Sequence, residues 1–293
     1  MAQTPPPVIP GLSVVADRYD GFILDLWGCL HDGVRPYPGV IDALKRLRAA
    51  GKRLLAVSNG PRRASSVALT TTQLGIDPSL LDGILSAGEV AWQAIVDRAD
   101  PWHARLGRRA LHIGADRDRG MFEGNGIERV RDLATADFIL LTGPMDDVWE
   151  LEQHEELLRA ALDRSLPMIC ANPDLDVIKG DQRLICAGTI AARYVELGGD
   201  MVQHGKPEPA IYARALRDLD VAEPRRVLAA GDSFHTDVSG ACRAGIDVAF
   251  IPGGIHADEL GYKPGQTPDA AAVSALMTQY RVTPTWILPE LKW

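Results

Sequence analysis

The chain has 293 residues, 46% apolar and 24% charged, with 31 basic and 39 acidic side chains for a net charge of −8. That length leaves room for one large or two ordinary domains with a sizeable core, and that composition excludes collagen, a coiled coil and a mainly disordered chain. The acidic balance argues against wrapping nucleic acid or an anionic membrane, while a local basic pocket for a small anion is still open.

Taken in chain order, the proline-rich opening, residues 1–14, reads as a short flexible or extended arm without the basic and apolar regions of a signal peptide. Residues 22–26 form an apolar run that suits a buried strand. Residues 39–50 read as a helix, with Val40, Leu44 and Leu47 on one face and Gly51 as its stop. A strand at 53–58, a helix at 61–74 and a short strand at 84–86 follow. The middle stretch has its own strand signals at 110–113, 138–141 and 168–170, and helix signals at 148–162 and 189–197. Beyond it come a helix ending at Leu219, a strand at 227–230, a helix at 236–244 and a strand at 247–251. Strands alternating with helices predict βαβ units and a parallel sheet, hence an α/β fold. The expected organisation is a core made of 15–87 and 201–293, with 88–200 inserted as a second domain.

The four cysteines, Cys29, Cys170, Cys186 and Cys242, form no C-x-x-C pair and no zinc spacing. They suit reduced thiols in a cytoplasmic protein. No apolar run approaches the ~18 residues that a membrane span needs. The basic stretches 45–48 and 105–109 read as solvated faces.

Four segments stand where chemistry is expected, just beyond strand ends. Asp25 closes the first strand; a carboxylate there is a nucleophile, a metal ligand or an ordinary turn cap. Ser58-Asn59-Gly60 ends the second strand before a helix, which suits either phosphate binding or a simple N-cap. Lys206 lies in Gly205-Lys206-Pro207-Glu208-Pro209, whose glycine and prolines constrain the backbone around a cation. Asp232 and Asp237, five apart on a strand-to-helix turn, can hold a hard cation or cap the turn.

The order Asp25, Ser58, Lys206, Asp232/Asp237 resembles the four motifs of the haloacid dehalogenase-like superfamily. Asp-x-x-Gly-x-Leu at 25–30, Gly-Lys-Pro-x-Pro at 205–209 and Gly-Asp-x-x-x-Thr-Asp at 231–237 look like its class IIA, the NagD and p-nitrophenylphosphatase type. The resemblance implies a Rossmann-like core with an inserted α/β C2-type cap. It implies an Mg²⁺-dependent hydrolase of a small phosphorylated metabolite, with Asp25 as the nucleophile that becomes an aspartyl-phosphate. Asp25, Asp232 and the backbone carbonyl of Trp27 would hold the metal; Ser58, Asn59, Gly60 and Lys206 would hold the phosphate. Asp237 would support them from behind, and Asn172 and Asp174 would form a substrate loop of the cap. A homodimer through the cap is part of the same expectation; nucleic acid and membrane partners are not.

One position departs from that pattern. The phosphatases of the superfamily carry a second aspartate two residues after the nucleophile, and this chain has Trp27. The indole N–H does not titrate near neutral pH. A positioned general acid–base is worth about 10²–10⁴-fold, or roughly 3–5 kcal/mol of barrier. The chain is therefore placed in a Trp-for-Asp subgroup with impaired or altered phosphatase chemistry, unless His31 or Asp32 relays the proton. Two other readings stand beside it. One is a catalytically disabled protein that binds a phosphorylated ligand or a partner. The other is a metal-independent 2-haloacid dehalogenase, which has an aromatic residue at this position but lacks the Asp232/Asp237 pair. Gly188-Thr189 at a helix start and Arg62-Arg63 after the second motif are further anion-site candidates with ordinary structural alternatives.

Overall fold

Strands in this chain are short because their apolar runs are short, and most of them are paired in parallel ladders. The structure, a computed structural model, describes residues 5–146, 148–179 and 182–293. Two compact units are present. One comprises Met1–Ser58, Ala68–Leu85 and Lys206–Trp293; the other comprises Asn59–Val67 and Ser86–Gly205.

The first unit is built on a six-stranded sheet. Its order is Trp286–Ile287, Asp247–Phe250, Val227–Gly231, Gly21–Leu24, Arg53–Ser58 and Gly83–Ser86. The central strands Gly21–Leu24 and Val227–Gly231 are buried at every position. Continuous burial is what a parallel sheet covered on both faces requires, and it explains the unbroken apolar runs. The helices Val40–Ala49 and Pro209–Leu219 pack against the strand Arg53–Ser58. The 22–26 run ends its strand at Leu24, so Asp25 leaves the sheet at its carboxyl edge. The helix expected at 236–244 is instead a wide turn, Phe234–Val238, followed by the helix Ser239–Arg243. The helix Ala270–Tyr280 and the edge strand Trp286–Ile287 had no counterpart in the sequence reading.

The opening segment differs from the flexible arm expected for it. Ile287 N–H donates to the Pro7 carbonyl at 3.0 Å, Ile9 N–H to the Ile287 carbonyl at 2.9 Å, and Leu12 N–H to the Lys292 carbonyl at 2.8 Å. Ile9 and Leu12 are buried. Prolines cannot donate to a ladder but their carbonyls accept, so the segment lies against the edge strand. Residues 1–4 of the expected arm lie outside the described residues.

The second unit has a five-stranded sheet in the order Met201–Gln203, Met168–Cys170, Phe138–Leu141, Arg109–Ile113 and Glu128–Val130, all paired in parallel. Alternate residues serve two cores. Leu111, Ile113, Ile139 and Leu141 pack with the helix Ala187–Glu196. Ala110, Phe138, Leu140 and Ile169 pack with the helix Ala87–Asp97. The antiparallel hairpin Asp176–Lys179/Gln182–Ile185 stands apart from this sheet. The expected 148–162 helix shortens to Glu155–Asp163 behind a 3₁₀ turn at Leu151–His154. All four cysteines are free thiols, with Cys29, Cys170 and Cys186 buried. The basic stretches carry ion pairs such as Arg46–Asp42, Arg48–Asp82 and Arg109–Asp137. Among the described residues, no helix is long and apolar enough to cross a membrane.

Candidate active site

The strands Gly21–Leu24 and Val227–Gly231 lie side by side, with Leu24 opposite Ala230. Asp25 N–H still donates to the Ala230 carbonyl at 2.9 Å, which holds its side chain at the sheet edge beside the segment that follows Gly231. Asp232 and Asp237 lie on that segment. Ser233 caps the wide turn by accepting from Thr236 N–H at 3.2 Å. Its carbonyl accepts from both Asp237 and Val238 N–H. Such wide turns are common at functional sites, and this one returns the Asp237 carboxylate to Ser233 N–H at 3.2 Å. Tyr212, fully buried, donates its hydroxyl to the Thr236 and Asp237 carbonyls from beneath.

Lys206 completes the arrangement. Its Nζ donates to Asp25 Oδ1 at 2.5 Å and to Asp237 Oδ1 at 2.8 Å, and all three side chains are buried. Asp25, Asp232 and Asp237 each offer an oxygen within 4.8 Å of the others. Asp232 Oδ2 accepts from Ile255 N–H at 2.6 Å. Backbone approaches Asp232 from two sides, at Gly28 (φ +83°) and at Gly254; a Cβ at either position would collide with its carboxylate. His256 braces the same loop: its Nε2 accepts from Phe234 N–H at 3.2 Å while Nδ1 meets Glu259 at 2.9 Å.

The electrostatics of this cluster are strongly negative. Burial pushes the Asp25 carboxyl well up; the Lys206 ammonium works against that, and Asp237 and Asp232 add to it. Tyr37, which sequence reasoning passed over, is pushed up to about 12 by burial and by Asp232. Three buried carboxylates against one ammonium leave a deficit of positive charge, bounded by hard oxygen donors. That donor set fits a divalent cation of the Mg²⁺ or Ca²⁺ type.

Ser58 ends a strand whose Ala56 lies opposite Leu24, so Ser58 and Asp25 emerge from the same sheet edge. Asn59 and Gly60 begin the second unit's share of the chain. There Asn59 Nδ2 donates to Asp174 Oδ1 at 2.8 Å, which joins two segments that sequence reasoning had kept separate. Asn172 Oδ1 accepts from Asp174 N–H at 3.0 Å, the Asx turn that Asn-Pro-Asp favours. Gly188 N–H donates to the Asp174 carbonyl at 3.0 Å, and Thr189 Oγ1 to the Leu175 carbonyl at 2.7 Å, so that helix start supports the turn. Arg63 is paired with Glu89 at 2.7 and 3.0 Å and stacks 3.6 Å above Trp92.

The Trp27 indole is 39% exposed and meets the His31 ring edge to face at 5.8 Å. His31 is buried, and its Nδ1 accepts from Gly33 N–H at 3.1 Å. Asp32 accepts from Val34 and Arg35 N–H at 2.8 Å each. Both candidates for a substitute proton relay are thus engaged in their own loop.

Comparison with known proteins agrees with this geometry. The profile of the haloacid dehalogenase-like hydrolases matches residues 22–128, and a HAD-hydrolase-like profile matches 203–277. The crystal structure of a haloacid dehalogenase-like hydrolase from Brucella suis 1330 is 34% identical, covers 97% of this chain and 100% of its own, and superposes with a TM-score of 0.82. The chain belongs to the haloacid dehalogenase-like hydrolase family. It has that family's parallel-sheet core and an additional cap region. It is also similar to the D-glycerol 3-phosphate phosphatase of Mycobacterium tuberculosis, 25% identical over 246 residues. That match covers 83% of this chain but 65% of the relative, so the chain spans less than two thirds of that relative's length. A glycerol phosphate phosphatase from Mycobacterium tuberculosis, crystallised in complex with magnesium, shares the fold at a TM-score of 0.65 and 24% identity, covering 88% of this chain and 77% of its own.

Proposed function

We propose that this hydrolase is an Mg²⁺-dependent phosphatase that removes phosphate from a small phosphorylated metabolite through an aspartyl-phosphate at Asp25. The observation that carries the reading is the buried Asp25–Lys206–Asp237 ion pair network, with Asp232 in the same cluster. Asp25 attacks phosphorus, a P–O(Asp25) bond forms and the P–O bond to the leaving group breaks with its electron pair. Lys206 compensates the charge on Asp25 and on the incoming phosphoryl oxygens. The Ser58 hydroxyl donates to a phosphoryl oxygen, joined in this reading by backbone N–H groups at Asn59 and Gly60. Water then attacks the phosphorus, releases phosphate and restores the Asp25 carboxylate. Mg²⁺ held by Asp25, Asp232 and the Trp27 carbonyl would supply charge neutralisation and alignment. Asp237 orients Lys206. The 88–200 region acts as a C2-type cap, with Asn172 and Asp174 on its substrate loop and a homodimer formed through it.

A binding role without turnover is the second reading, and Trp27 favours it. The retained Asp232 and Asp237 speak against metal-independent dehalogenation. The test is phosphate release by the full chain with Mg²⁺, and trapping of the phosphoenzyme after acetyl phosphate. Wild type is expected to label and Asp25→Asn to lose both label and turnover. Labelling that survives in Asp25→Asn overturns the nucleophile; tight phosphate binding with no label establishes the binder.

A further inference from the structure

We infer that this site takes phosphoryl groups from acyl and aryl donors, whose leaving group departs as an anion without a proton, and discriminates against alkyl phosphates. The inference rests on the phosphatase reading and narrows it to a substrate class.

The chemistry sets the requirement. As the P–O(Asp25) bond forms, the leaving oxygen departs with both electrons of the bond that breaks. An alkoxide cannot survive in neutral water, because its conjugate acid lies near water itself, about 15.7. It must be handed a proton as it leaves. A carboxylate, whose acid lies near ~4, needs none, and a phenolate (~10) sits between.

Among the described residues of the 26–35 loop that follows Asp25, the side chains able to donate that proton are engaged elsewhere. Trp27 stands two residues beyond it on the tight 26–31 loop, where Leu30 and His31 N–H both donate to the Leu26 carbonyl. The indole is wedged in place: a Cβ at Gly33 would collide with it, and the buried His31 ring abuts it. An indole N–H does not act as an acid. His31 accepts from Gly33 N–H through Nδ1, which leaves its proton on Nε2, and the residue is buried against Trp27 in its own loop. Asp32 caps the 32–35 turn as an acceptor. The Cys29 thiol is buried and faces the Ala230 carbonyl at 3.5 Å. Lys206 is held between Asp25 and Asp237. Asp232 accepts from Ile255 N–H and Asp237 from Ser233 N–H. The 39% exposed indole, two residues beyond Asp25 in the chain, instead offers an apolar face suited to an aromatic leaving group. The same shortage slows attack by water on the aspartyl-phosphate, so the phosphoenzyme accumulates.

The experiment measures kcat/KM of the full chain with Mg²⁺ on acetyl phosphate, 4-nitrophenyl phosphate, phenyl phosphate and glycerol 3-phosphate, together with phosphoenzyme yield. The expected result is a fall of about 10²–10⁴-fold from the acyl to the alkyl substrate, the worth of a missing general acid. Trp27→Asp is expected to raise glycerol 3-phosphate turnover selectively and to lower phosphoenzyme yield. Trp27→Phe, which keeps the loop packed, is expected to retain the wild-type order. Wild-type turnover of glycerol 3-phosphate within tenfold of acetyl phosphate overturns the inference and leaves the phosphatase reading standing. Failure of all four to label or turn over, acetyl phosphate included, overturns the phosphatase reading itself.

Discussion

At the scale of single residues, the carboxylate cluster is a crowd of like charges that stays together because backbone and Lys206 hold it. Gly28 shows how tightly. It sits at φ +83°, and an added Cβ would meet the Asp232 carboxylate. Gly28→Ala is therefore expected to cost on the order of 1–3 kcal/mol in strain and to weaken Mg²⁺ binding, read by urea unfolding and by calorimetric titration. Unchanged cation affinity would show that Asp232 does not depend on this close approach. The candidate site residues Asp25, Ser58 and Asp232 each close an apolar run in the sequence, where each reads equally as a cap or turn, and only their common order with Lys206 set them apart. Lys206 was legible from its rigid Gly and Pro neighbours. The Ile255 N–H, the His256 brace and the Asn59–Asp174 bond were not, because each joins segments distant in sequence. The Gly253-Gly254 pair was the one available hint, as a turn signal after a strand.

At the scale of elements, the central strand Gly21–Leu24 carries part of the core and delivers Asp25, the proposed nucleophile, just beyond its end. Phe22 is fully buried in it. Phe22→Ala is expected to cost about 3–5 kcal/mol, seen as a lower urea midpoint, with phosphoenzyme formation lost in parallel as the strand loosens. The wide turn Phe234–Val238 is the instructive departure from expectation. Its apolar pattern is helical, yet the Ser233 cap and the Tyr212 hydroxyl fix a wider ring that aims Asp237 at Lys206. Periodicity cannot register such a ring, because one extra residue per turn changes no residue type. Ser233→Ala is expected to destabilise by about 1 kcal/mol; a larger loss of activity than of stability would mark the turn as a positioning element.

At the scale of the whole molecule, stability should depend on pH through buried imidazoles in the second unit. Burial holds His112 down to about 4 from an ordinary 6.5, and His204 likewise to about 4 through burial and the neighbouring His103. Between pH 6.5 and 4 the unfolded chain therefore binds more protons than the folded one, so stability rises with pH through this window and is lost as pH falls. Urea unfolding at pH 7 and at pH 4.5 checks the sign, and His112→Gln is expected to flatten the slope. A midpoint that rises on acidification contradicts the assignment.

The sequence alone determined the α/β class, the alternation of strands and helices, and the placement of acidic residues at strand ends, because those depend on local propensity and on short-range periodicity. It also contained the Trp27 substitution on which the leaving-group inference turns. What only the tertiary structure decided was which distant groups meet: Lys206 between Asp25 and Asp237, Ile255 N–H on Asp232, and the 7–12 segment against the last strand. The physical reason is that a buried charge or a lone carbonyl is satisfied by whichever partner the fold delivers within about 3 Å. No local pattern encodes the identity of that partner.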